Sequence, residues 1–164
     1  MMTLKEAVKK VRPLDEKAME GAKQRWDSIA KPLHSLGELE NMLTQIAGIT
    51  GTPDVRVEKK AVVAMCADNG VVEEWVTQTG QEVTAIVAEN FLSGDTSACV
   101  MRRQCGTEVL PVDIGMVVDT RVPKDLKDAY GTANMTKGPA MTRAQAVQAL
   151  EAGIEMVRRL KEDG

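Results

Sequence analysis

The rhythm of apolar positions changes once along this chain. Over the first fifty residues, apolar side chains recur at spacings of three and four, the period of a half-buried helix. Leu4, Val8 and Val11 share one face of a short helix that Pro13 ends. Met19, Ala22, Trp26 and Ile29 predict a second helix from about Asp15 to Ala30, stopped by Pro32. Ser35 and Glu38 match a capping box, S-x-x-E, that opens a third helix. Its apolar positions are Leu36, Leu39, Leu43 and Ile46, and Gly48 and Gly51 end it. No strand candidate occurs in this stretch.

The pattern shifts at GTPDV, residues 51–55, which reads as a linker between a helical region, 1–52, and an α/β region, 53–164. Ala61 to Ala67 is a continuous apolar run, as expected of a strand buried on both faces. Asp68, Asn69 and Gly70 break it at the point where a ligand site is expected in an open parallel sheet. A loop then leads past Thr79 to a helix from about Gln81, with Val83, Ile86, Val87 and Asn90 at helical spacing. After Ser93 and Gly94, Asp95 or Thr96 caps a further helix to about Gln104, and Gly106 stops it. A second strand spans about Glu108 to Ile114 and again ends in polar and glycine residues, Asp113 and Gly115. Pro111 within it cannot donate to a ladder, which places it at an edge or a bulge. Residues 116–141 form a long irregular segment of the kind that often carries function. Thr142 caps a last helix expected to bury Val147, Leu150, Ile154 and Val157.

Strand, helices, strand, helix is the opening of a doubly wound α/β fold, with the two strands adjacent and parallel. Two strands cannot cover the apolar faces of these helices. The expectation is therefore an N-terminal part of a longer protein, with apolar surface exposed in the isolated chain.

Composition narrows the function classes. The net charge is −3, and Lys and Arg are scattered without a basic stripe, so no nucleic-acid partner is expected. Aromatics make up 2% of the chain, which leaves the core to aliphatic residues and ten methionines. Cys66, Cys99 and Cys105 are read as reduced, buried thiols of a cytoplasmic protein. With His34 the single histidine, no metal site is expected, and His34 suits a turn between Pro32 and Ser35. Met1 to Arg12 carries charges throughout, unlike a signal peptide. No run reaches transmembrane length, so no membrane partner is expected.

The chemistry-bearing residues leave alternatives open. There is no G-x-G-x-x-G after either strand and no G-x-x-x-x-G-K-[ST]. Asp68 serves either as an acid, base or ligand-orienting group, or as a cap on the following loop. Glu73 and Glu74 are either paired acid–base carboxylates or a solvated loop. Thr77, Thr79 and Thr84 offer hydroxyls to a site or to helix capping.

KPLHSLGELE (31–40), MCADNGVVEE (65–74), VTQTGQEVTAIVAEN (76–90), VDIGM (112–116) and GPAMTRAQA (138–146) occur in this order. Together, from about Leu14 onward, they resemble the N-terminal half of the nicotinate-nucleotide–dimethylbenzimidazole phosphoribosyltransferase family. The resemblance implies a Rossmann-like parallel three-layer sheet domain with a small helical domain, in a homodimer. It implies transfer of phosphoribosyl from nicotinate mononucleotide to dimethylbenzimidazole, giving α-ribazole phosphate for the lower ligand of cobalamin, without a cofactor or metal. Thr79 then matches a small hydroxyl residue lining the base pocket. Val87 stands where other members have a glutamine facing that base, and Val83 and Thr84 lie between them. Asp68 and Asn69 are added as substrate-binding residues, Asn69 replacing a histidine of some members. Trp75 stands where a glycine is usual. The family's glycine-rich phosphate segment and catalytic glutamate fall beyond Gly164, so no catalytic residue is expected within this chain. The rival reading is a non-catalytic binding module, or one subunit of a split enzyme.

Overall fold

This computed structural model of the chain describes residues 1–163. They form six α-helices and two strands: α1 (Leu4–Lys10), α2 (Glu16–Ser28), α3 (Glu38–Thr50), β1 (Ala61–Ala67), α4 (Glu82–Ser93), α5 (Ser97–Cys105), β2 (Glu108–Gly115) and α6 (Arg143–Glu162). The chain separates into two compact units. One is Lys10–Glu58; the other combines Met1–Lys9 with Lys59–Gly164. The division differs from the 1–52 and 53–164 regions read from composition. Residues 1–9 belong to the larger unit because its helix α1 is tied to α6, the Leu4 N–H donating to Glu151 Oε1 at 2.8 Å.

The smaller unit is a helix pair. Asp15 caps α2 by accepting from the Ala18 N–H, and its own N–H reaches the Gly48 carbonyl at 2.9 Å. Small residues bring the helices close: Ala18, Ala22 and Ala47 are buried. Gly48 lies inside α3 rather than ending it, and Gly51 supplies the left-handed C-cap. The predicted Ser35 capping box does not form. Gly37, with a positive φ, precedes α3, and Glu40, not Glu38, turns back to take the Leu36 N–H at 3.1 Å. Glu40 is drawn inward by Lys31, its buried ion-pair partner at 2.8 Å, which a local pattern cannot register. His34 occupies the expected turn, with a left-handed backbone and an exposed side chain.

In the larger unit β1 and β2 pair in parallel, Ala61 with Glu108 through Cys66 with Asp113, and then Ala67 with Gly115. Ile114 is thus the extra residue of a bulge at the carboxyl end. Pro111 sits in β2 without cost to this pairing. The Asp113 N–H points away from β1 to the Pro123 carbonyl, 2.9 Å away, and Pro111, two residues earlier, faces the same edge. Side chains on opposite faces of β1 feed separate clusters. Cys66 packs with Ala88 of α4, Met116 and Val122. Val63 joins Val112, Leu126, Ile114 and, from α6, Ala152 and Met156. Helices therefore pack on both faces of a parallel sheet, the three-layer α/β arrangement expected, but β1 is not buried on both faces as its apolar run suggested: Val62 and Met65 are exposed and only Cys66 is buried.

Two predicted helix faces require correction. On α4, Ala88 is the buried residue, while Ile86 and Val87 are exposed. On α6, Ala152 and Glu155 are buried, whereas Leu150 and Val157 face outward. In each helix an alanine, not a bulkier apolar residue, faces the cluster beside the sheet: Ala88 on α4 and Ala152 on α6. The caps follow the sequence: Thr96 accepts from the Cys99 N–H, and Thr142 and Gln145 form a complete capping box on α6. Among the described residues, no helix is long and apolar enough to cross a membrane.

Candidate functional site

The polar residues that end the two strands lie at one level of the sheet, and each ties down a loop. Asp68 is 3% exposed. Its N–H donates to the Gly115 carbonyl, its carbonyl accepts from Thr132, and its Oδ2 accepts from the Val117 N–H at 2.8 Å. The carboxylate thus caps the loop after β2. Asp113 mirrors it: fully buried, its Oδ1 accepts from the Gly115 and Met116 N–H groups, and its Oδ2 pairs with Lys127 at 3.0 Å. Lys127 also reaches Asp119 and lies 3.7 Å from the centre of the Tyr130 ring. Burial pulls the Lys127 ammonium toward its neutral form, but the bonds to Asp113 and Asp119 prevail and raise its pKa. Lys124 and Lys127 hold the Asp119 carboxyl down at about 2.

Beyond Asp68 the chain makes one 3-10 turn, Gly70–Glu74, which the sequence pattern did not disclose. Gly70 is required there. A Cβ on it would lie 2.5 Å from the Thr132 carbonyl oxygen and 2.7 Å from the Asn134 nitrogen, both backbone atoms. The turn is pinned to the same segment by Glu73–Lys137 at 2.6 Å, and by Asn134 and Thr136 donating to Glu74 at 2.7 and 3.1 Å. Glu73 and Glu74 are accordingly loop anchors rather than a facing acid–base pair, and Lys137 lowers the Glu73 pKa. The turn ends at Trp75, in a left-handed conformation and 91% exposed.

Between this turn and α4 opens a cleft of about 420 Å³. Asp68, Asn69, Thr79, Val83, Thr84 and Val87, the six residues singled out in the sequence, all line it. Gln81 holds its mouth, donating through Nε2 to the Asn69 carbonyl at 3.1 Å. The floor is Ala64, Cys66 and Ala67 of β1, and Phe91 closes one end. Burial and the Asp113 and Asp68 carboxylates push the Cys66 thiol up, which keeps it protonated and poorly nucleophilic. Cys99 is also buried, but Cys105 is exposed, contrary to the expectation for all three, because it sits in the last turn of α5. An apolar floor with a few hydroxyl and amide groups at the rim suits a planar, mostly apolar ligand bearing one or two polar atoms. No group of three or more His, Cys, Asp or Glu side chains able to hold a metal occurs among the described residues.

A larger cavity, about 640 Å³, was not foreseen. It shares the wall formed by Ala67 and Asp68, and is completed by Gly115, Thr132, Ala133, Thr142 and Arg143. These residues are far apart in the chain; the one sequence signal was the length of the irregular segment after β2.

Comparison with known proteins agrees with this geometry. The chain is 43% identical to nicotinate-nucleotide–dimethylbenzimidazole phosphoribosyltransferase of Clostridium tetani, over 100% of this chain and 46% of that protein. It is 45% identical to the protein of the same name from Ruminiclostridium cellulolyticum, over 99% of this chain and 47% of the relative. The crystal structure of such an enzyme from Thermus thermophilus matches 92% of this chain and 47% of its own, with a TM-score of 0.81 and 35% identity. The chain thus spans about half the length of the curated relatives it matches. A family model described as phosphoribosyltransferase matches residues 11–164, and the chain belongs to that family.

Proposed function

We propose that this chain supplies the base-binding part of a transferase that moves phosphoribosyl from nicotinate mononucleotide to dimethylbenzimidazole, giving α-ribazole phosphate for the cobalamin lower ligand. The observation that carries the reading is the β1 cleft. Thr79, Val83, Thr84 and Val87 converge on it from the loop and α4, with Asp68 and Asn69 at the strand end. The apolar Val87 favours recognition of the base by shape. The proton of the attacking base is taken by a carboxylate outside these residues, because Asp68, Glu73 and Glu74 are already engaged in holding loops. The protein acts in the cytoplasm as a homodimer, a reading that free cysteines and outward-facing apolar side chains such as Ile86, Met101 and Leu150 support.

The test has two arms. Purified chain is titrated with dimethylbenzimidazole, and binding is expected in the millimolar range, since a cleft open to water forgoes much of the burial that holds an apolar ligand. The chain is also incubated with nicotinate mononucleotide and dimethylbenzimidazole, and α-ribazole phosphate is sought by mass spectrometry; none is expected. Turnover abolished by Asp68→Asn or Glu74→Gln would place the acid–base group within this chain and refute the assignment.

A further inference from the structure

Trp75 is the most exposed large hydrophobic side chain of the larger unit, and its backbone is left-handed, a conformation rare for bulky residues. Such an outlier persists only where its surroundings over-determine it. Here they do. The Trp75 N–H closes the 3-10 turn on the Val72 carbonyl at 3.1 Å, and the two preceding carboxylates are fastened to Asn134, Thr136 and Lys137. The Trp75 backbone is therefore held in place, and the exposed indole adds nothing to the core. It lines a hollow of about 320 Å³ with Glu73 and Gln78. The remaining walls of that hollow, Val72, Thr77, Thr79, Gly80 and Gln81, are also walls of the β1 cleft. The hollow therefore adjoins the cleft along this shared wall.

We propose that Trp75 is a specificity-determining residue of the base site: its indole stacks on a planar fused heteroaromatic base that reaches from the cleft into the adjoining hollow, so that two-ring bases are favoured over single-ring phenols. The inference rests on the base-site reading above. Stacking strength follows ring overlap, which a bicyclic base provides and a phenol halves. Val87 of the cleft supplies shape but no polar contact, which leaves discrimination to ring stacking.

The test uses the 164-residue chain in NMR titrations with dimethylbenzimidazole and with phenol. Trp75→Phe identifies the Trp75 indole N–H signal, since Trp26 is the only other tryptophan. Trp75→Gly is expected to fold, because glycine suits the left-handed backbone. The expected result is that the Trp75 indole and the Val83 and Val87 methyl signals move with one Kd. Trp75→Gly should then weaken dimethylbenzimidazole by about twofold to tenfold, change phenol far less, and be largely rescued by Trp75→Phe. Val83 and Val87 signals that move while the indole stays still, with an unchanged Kd in Trp75→Gly, overturn the stacking role and leave the base site intact. No movement of any of these signals overturns both. Loss of self-association in Trp75→Gly, with dimethylbenzimidazole affinity unaltered, makes Trp75 an interface residue and also overturns the proposal.

Discussion

The loops that follow the two strands solve the same problem in opposite ways. The segment after β2 is anchored from within: Asp113 and Lys127 are almost wholly buried, and Asp119, Lys124 and Tyr130 extend the network outward. The segment after β1 has few buried residues of its own, Asp68 and Gly70, and most of its side chains face solvent. It takes its shape by resting on the other loop, through Gly70 against residues 132–134 and through Glu73 and Glu74. The lesson is that order at the cleft is inherited. The loop that borders the cleft is held largely by residues of the loop after β2.

If so, damage should be graded by distance from the buried anchor. Lys127→Met leaves Asp113 buried without its cation, for which about 3–5 kcal/mol is the usual cost of breaking such a pair. A large drop in the urea midpoint is expected, partly restored by adding Asp113→Asn; an unchanged midpoint would remove the anchor from the comparison. Gly70→Ala forces backbone at Thr132 and Asn134 apart and should cost about 1–3 kcal/mol, with the NMR signals of residues 70–81 and 132–137 shifting together. Acid should act next. Asp119 and Glu155 are both held at about 2, Asp119 by Lys124 and Lys127, Glu155 by Arg158 and Arg159. Since folded values lie below the ordinary 3.8 and 4.5, their contribution is fully present above about pH 5 and is lost as pH falls toward 2. Melting temperature recorded from pH 6 to 2 should fall in that window and flatten in Asp119→Asn. Smallest is Lys137→Ala, which breaks an exposed ion pair and should leave the melting temperature unchanged. It should, however, broaden or shift the Trp75 indole signal if the β1 loop depends on its neighbour.

The contrast also explains what the sequence disclosed. Ala61–Ala67 and the Thr142 cap could be read because a continuous apolar run and a capping box are local facts. The six cleft residues were legible because they closely follow one strand end and match a motif. The buried Asp113–Lys127 pair was not, since charged residues fourteen apart carry no sign of burial until a strand end and a loop enclose them. The faces of α4 and α6 were misjudged for a related reason. Period identifies a helix, but Ala88 and Ala152, weak in any hydrophobic pattern, decide which side meets the sheet. Ser35 failed as a cap because α3 begins at Glu38, behind Gly37, so Ser35 lies two residues before the cap position, and Glu40 takes the Leu36 N–H.

The wall shared by the cleft and the larger cavity has one more implication. Ala67 and Asp68 border both spaces, and Asp68 is clamped from the Gly115, Thr132 and Val117 sides. An occupant of either space that displaces this partition alters the other. Thermodynamic linkage then makes the effect mutual: whatever factor the first ligand imposes on the affinity of the second, the second imposes on the first. Only to the extent that an occupant displaces this partition are the two chambers energetically interdependent.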